Sequence, residues 1–342
     1  MLAESIDERP WPRADWDHAD LSDMVDAERL DRHLDRCMDD VDELGLTRAV
    51  VVVHGGRIVR ERYGPETDAD TTLISWSMAK SITHALVGLL VEDGRLELSA
   101  PAPIGAWSYD ERAEITLQHL LEMTSGLEFV EDYVDAGVSH VIEMLFGSGI
   151  DDHAAYASAF PLVAPPGTVW NYSSGTTNIV AKIAGDAIGG GRDSTEKYLR
   201  DRLFGPLGMA SAIPKFDTAG TFVGSSYVYA TARDFARFGY LYLRNGWWDG
   251  RRLLPSDWVD HAATPVPAPL PDDERHGYGA HWWLWRRDPR TIAALGYEGQ
   301  RTIVARDRDL VVVRLGTSAA ERHAALDAVL DEIVRCFPKA GA

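Results

Sequence analysis

The 342-residue sequence is poor in cysteine, in positive charge and in long apolar runs. Its two cysteines, Cys37 and Cys336, are too few for a disulfide framework and lack zinc-site spacing, which suits a reducing compartment. The eleven histidines form no His-x-x-x-His or His-Glu-x-x-His pair, so no metal site is expected. No segment approaches the roughly 20 apolar residues that cross a bilayer. The first twenty residues are acidic and have no apolar stretch of the kind a secretory signal needs, so the protein is expected to be cytoplasmic. Lysine and arginine number 34 against 53 aspartates and glutamates, a net charge of −19. That excess repels nucleic acid and anionic membranes and leaves a small molecule as the expected partner. A monomer or a homodimer fits equally.

What is present reads as an α/β chain of the α+β kind. Residues 1–20 form a polar leader. A helix is predicted over Asp23–Leu44, where Met24, Leu30, Leu34, Met38 and Val41 recur at helical spacing. Two β-like runs, Arg48–His54 and Arg57–Tyr63, flank Gly55-Gly56 and predict a hairpin. A helix then starts near Ser75–Ser77 and runs to about Asp93, with Gly94 as its stop. The middle is mostly helical, with Leu117–Met123, Val138–Phe146 and Thr176–Ile188 as its main segments, and a further helix covers Ala232–Asn245. Thr264–Asp273 carries four prolines and is expected to be an extended loop. Strands at Ala280–Trp285, Thr291–Leu295, Gln300–Arg306 and Leu310–Gly316 precede a last helix, Ala319–Phe337. The expected architecture is an antiparallel sheet flanked by the N- and C-terminal helices. Residues 21–99 and 221–342 would form this α/β lobe, and 100–220 an inserted, mostly helical lobe, with the active site between the two.

Three short motifs carry chemistry. In Ser75-Trp76-Ser77-Met78-Ala79-Lys80, residues 77 and 80 share a helix face. A serine hydroxyl needs an adjacent base, and a lysine serves when burial and a helix N-terminus lower its pKa. The free N–H groups of that terminus also suit an oxyanion. In Trp170-Asn171-Tyr172-Ser173-Ser174-Gly175, the tyrosine stands on a turn before a helix, where a lysine ammonium would depress its phenol pKa and let it shuttle a proton. In Gly296-Tyr297-Glu298-Gly299-Gln300, the glycines allow close backbone approach, and the Gln300 N–H is a candidate second oxyanion donor beside that of Ser77. Each motif alone is common; their order along one chain is not.

Together the motifs resemble those of serine hydrolases with the penicillin-binding-protein fold, in particular the class C β-lactamase-like branch with its esterases, D-amino-acid peptidases and aminohexanoate-dimer (nylon oligomer) hydrolases. The likeness spans roughly residues 25–335 and extends to Leu120–Leu127, Pro166-Gly167-Thr168, Pro206–Met209 and Phe235–Asp249 followed by Leu254-Pro255. It implies that Ser77 forms an acyl-enzyme, that Lys80 and Tyr172 move its proton, and that Tyr133, Ser174, Tyr297, Glu298 and Gly299 are candidates for substrate contact. Trp76, Trp170, Trp282 and Trp283 are either an apolar wall or core. Two departures narrow the substrate. Ser174 stands where a class C β-lactamase has the asparagine that holds the drug amide, and Tyr297-Glu298-Gly299 replaces Lys-Thr-Gly, putting a carboxylate where a lysine would meet the drug carboxylate. Carboxylic esters and short linear amides are therefore the expected substrates; the alternative is a D-amino-acid peptidase, a β-lactamase or a penicillin-binding-like protein that traps an acyl group.

Overall fold

A computed structural model describes residues 10–132 and 139–339. Its centre is a seven-stranded antiparallel sheet. The strands are β1 (Leu46–His54), β2 (Arg57–Tyr63), β3 (Gly277–Tyr278), β4 (Trp283–Leu284), β5 (Thr291–Gly296), β6 (Gln300–Ala305) and β7 (Leu310–Thr317), in the order β2-β1-β7-β6-β5-β4-β3. Gly55 and Gly56 both have positive φ, which only glycine adopts without cost, and they close the β1–β2 hairpin. β1 and β7 are buried on both faces. Val51, Val53, Val311 and Val313 face one core, while Val50, Val52, Leu310 and Val312 face the other. Period-2 alternation between two apolar layers explains why these strands read as continuous valine runs.

The second of these cores is closed by helices α1 (Ala27–Asp39) and α5 (His323–Arg335), through Leu30, Leu34, Leu326, Leu330 and Ile333. These are the terminal helices the sequence placed on one face. The predicted helix 23–44 is broken at Asp40, whose φ/ψ of −84°/64° leaves the helical region and whose side chain caps a new turn at Val41–Leu44. The other face receives α2 (Met78–Glu92) and α4 (Ala232–Leu243). α2 is buried all round from Met78 to Leu90, the position of a helix with no polar face to spare. α3 (Ser174–Ile188) packs beside it, capped by the Ser173 hydroxyl on the Thr176 N–H.

Two local expectations change. Residues 10–18 are anchored rather than a polar leader: the Trp16 ring is 3% exposed, its indole donates to the Arg233 carbonyl, and His18 bridges to Ile58. Strand 280–285 shortens to Trp283–Leu284, because His281 has φ 53° and its N–H turns away to the Leu121 carbonyl. The proline-rich stretch 264–273 is a loop, as expected. Among the described residues no helix is long and apolar enough to cross a membrane.

Candidate active site

Ser77 is the N-cap residue of α2 and remains half-buried. The preceding Trp76 has φ 44°, a left-handed conformation that costs a large non-glycine residue free energy and concentrates at functional sites. One turn into α2, Lys80 is 2% exposed. Its Nζ donates to three oxygens: Ser77 Oγ at 3.1 Å, Ser174 Oγ at 2.8 Å and the Ser225 carbonyl at 3.2 Å. Burial pulls the ammonium pKa down to about 8, against the opposing charge of Glu131. A substantial neutral fraction near physiological pH is what a lysine base requires.

Tyr172 lies over this lysine, with Nζ 4.8 Å from the ring centroid. Trp283, Tyr278 and Trp170 pack around it at centroid distances of 5.3, 6.0 and 6.3 Å. The expectation of a depressed phenol pKa is overturned. Burial drives it upward, the Glu131 carboxylate adds to the rise, and a hydrogen bond with Ser77 offsets only part. The phenol is therefore held protonated.

The turn at 296–300 lies against the Ser75–Trp76 segment. Gly296 is the ladder partner of Gln300, and a Cβ on Gly296 would stand 2.4 Å from the Ser75 carbonyl oxygen, so only glycine lets the turn approach the Ser75–Ser77 segment this closely. The turn is gripped from behind. The Gln300 side chain bonds Tyr297 and Gly316 carbonyls, Arg301 donates to the Gly296 and Gln300 carbonyls, and Arg314 donates to those of Glu298 and Gly299. Asp327 holds Arg301 at 2.9 Å in turn. At the front, Glu298 has φ 58° and its Oε2 accepts from the Trp76 indole at 3.1 Å. Trp76 also meets Tyr297 edge-on at 5.5 Å and Tyr227 at 5.9 Å.

The sequence candidates thus separate. Ser77, Lys80 and Tyr172 converge, and the turn that carries Tyr297, Glu298 and Gln300 lies against the adjoining Ser75–Trp76 segment. Gly299 is buried, and a Cβ there would strike Arg314, Leu326 and Ser318. Ser174 is also displaced from the substrate role. It is fully buried, and its hydroxyl is engaged on both sides, by Lys80 and by Glu131. Tyr133 lies outside the described residues. Of the tryptophans, Trp282 is fully buried core, whereas Trp76, Trp170 and Trp283 border the site. Glu131 was not anticipated. It accepts from the Ser174 hydroxyl at 2.5 Å and from the Ser174 N–H at 2.7 Å, at the first turn of α3. Its one signal in the sequence is its place two residues before Tyr133.

A half-buried serine at a helix start, a fully buried lysine in contact with it and a protonated tyrosine over that lysine define a serine hydrolase. Comparison with known proteins agrees. The family model named Beta-lactamase matches residues 30–334, and the chain belongs to that family. A 6-aminohexanoate-dimer hydrolase of Paenarthrobacter ureafaciens is 24% identical over 291 residues, covering 79% of this chain and 72% of that protein. Among solved structures, a Bacillus anthracis protein assigned as a 6-aminohexanoate-dimer hydrolase superposes with a TM-score of 0.75 at 24% identity, over 96% of this chain and 89% of its own. The octameric penicillin-binding protein homologue from Pyrococcus abyssi gives 0.65 at 18%, over 90% and 78%. The mixed fold of helices and antiparallel sheet is the one these structures share.

Proposed function

We propose that this hydrolase cleaves carboxylic esters and short linear amides through an acyl-enzyme on Ser77. The observation that carries the reading is the 3.1 Å contact between Ser77 Oγ and a lysine whose burial brings its pKa to about 8. Neutral Lys80 takes the Ser77 proton as Oγ attacks the carbonyl carbon. The N–H groups of Ser77 and Gln300 receive the oxyanion. Tyr172, held protonated, gives its proton to the leaving alkoxide or amine and recovers one from Lys80. Water then enters, loses its proton to the same pair, and releases the acid.

Linear amides are supported by the likeness to the Paenarthrobacter hydrolase, whose name states an amide dimer as its substrate. Glu298 and Tyr297 border the site and are proposed to contact substrate, favouring groups that are neutral or cationic. A carboxylate-bearing β-lactam would meet Glu298 unfavourably. The test is a panel of short-chain nitrophenyl esters, aminohexanoate dimer, D-amino-acid amides and nitrocefin, run on wild type and Ser77→Ala. Ester and dimer turnover lost in Ser77→Ala is the expected result. Nitrocefin turnover rivalling ester cleavage, or a Ser77 adduct that never decays, would replace this reading by a β-lactamase or an acyl trap.

A further inference from the structure

The contacts of Lys80 pose a question of direction. As an ammonium it has three donors, and three oxygens receive them. As a neutral amine it keeps two N–H bonds and one lone pair, and that lone pair must point at Ser77 Oγ to take its proton. The Ser225 carbonyl is an acceptor and cannot compete for the lone pair. The Ser174 hydroxyl can: it has a hydrogen of its own, 2.8 Å from Nζ. What prevents this is Glu131, whose Oε1 accepts that hydrogen at 2.5 Å while Oε2 takes the Ser174 N–H at 2.7 Å. The carboxylate is thereby tied to the start of α3 by two bonds, and the serine hydroxyl is turned so that only its oxygen faces the lysine.

We propose that Glu131 is a positioning residue: by holding the Ser174 hydroxyl as an acceptor, it leaves Ser77 as the one hydroxyl that can donate to the Lys80 lone pair. This rests on the assignment of Lys80 as the base. Its charge has a second effect, since a carboxylate one serine away favours the ammonium and counters the burial of Lys80. The other titratable groups around this centre are Tyr172 over the lysine, His281, on which Lys80 acts electrostatically, and Tyr278 and Glu274 around Tyr172. None of these is hydrogen-bonded to Ser174 Oγ, so the directional effect belongs to Glu131.

The test is the pH profile of kcat/KM for a short-chain nitrophenyl ester in wild type, Glu131→Gln, Glu131→Asp, Ser174→Ala and the Glu131→Gln/Ser174→Ala double variant. Glu131→Gln is expected to lower kcat about 10- to 100-fold, less than the roughly 10²- to 10⁴-fold that loss of a proton-transfer group itself costs. Its acid limb should move down by about one pH unit, because a neighbouring negative charge is gone. Glu131→Asp should keep the limb at the wild-type pH. With Ser174 already alanine no hydroxyl competes for the lone pair, so adding Glu131→Gln should cost little further kcat while still lowering the limb. A limb unmoved in Glu131→Gln, or rate losses that multiply in the double variant, would overturn the proposal. A wild-type profile with no acid limb would remove the base assignment to Lys80 and this proposal with it, whereas a wild-type limb that Glu131→Gln leaves in place removes only the role of Glu131.

Discussion

The Trp76 indole donates to Glu298 Oε2 at 3.1 Å, and both residues sit in the left-handed backbone region, at φ 44° and 58°. Two strained non-glycine residues, one beside the nucleophile and one on the turn opposite, hold each other across the site. Such strain persists only where surrounding contacts over-determine it. Here those contacts are the carbonyl bonds from Arg301 and Arg314 behind the turn and the ring contacts of Trp76 with Tyr227 and Tyr297 in front.

Glu298 is accordingly expected to act on substrate charge. A unit charge about 4 Å away in water-like surroundings is worth about 1 kcal/mol, or roughly five-fold. Glu298→Gln should reduce the ratio of kcat/KM for an ammonium-bearing ester over its neutral isostere by about that factor. Equal losses for both esters would instead mark Glu298 as a clamp on Trp76 alone.

Ester cleavage is expected to rise with pH through about 8. The sign follows from the base: the neutral lysine is active, and it accumulates as pH passes its pKa, which burial lowers to about 8. Lys80→Arg, which stays charged throughout, should lose about 10²- to 10⁴-fold in kcat and show no limb there. Stopped-flow acylation rates across pH check both.

Gly296→Ala is expected to damage activity more than its size suggests. The new methyl would stand 2.4 Å from the Ser75 carbonyl, and backbone on both sides must shift to admit it. A misplacement near 1 Å at the oxyanion donors is worth on the order of 100-fold in rate. The comparison is kcat at unchanged far-UV circular dichroism. Wild-type kcat would show that the approach of the turn to Ser75 does not position the donors.

Acid should unfold the protein from near neutrality downward. His84, on α2, is buried against His261 with His281 nearby, and burial depresses all three pKa values, to about 4 for His261 and about 3 for His281. Their folded pKa lies below the unfolded 6.5, so the unfolded chain takes up protons the native state refuses. The stability they confer is present above pH 6.5 and lost as pH falls toward 3, by up to about 1.4 kcal/mol per pH unit for each. Thermal midpoints at pH 7, 6 and 5 should fall steadily, and His261→Asn should flatten that fall.

How far the sequence disclosed this molecule depended on range. The valine runs of β1 and β7, the Gly55-Gly56 turn and the apolar faces of α1 and α5 are local patterns that match the final packing. So do the positions of Ser77 and Lys80, whose contact is set by a single helix turn. What the sequence left hidden is non-local. Glu131 and Ser174 are 43 residues apart, and nothing near either signals the other. The upward shift at Tyr172 comes from burial among Trp170, Tyr278 and Trp283, which the chain assembles from two distant stretches. A glycine's need for space does not say which neighbour requires it; at Gly299 that neighbour is Arg314.

The central claim is a covalent intermediate on Ser77, and intact-mass spectrometry during turnover of a short-chain nitrophenyl ester tests it most directly. The account predicts a transient mass gain equal to the acyl group, mapped to the peptide bearing Ser77, decaying as ester is exhausted and absent in Ser77→Ala. Undiminished ester turnover by Ser77→Ala, or an acyl group mapped to another residue, would contradict it.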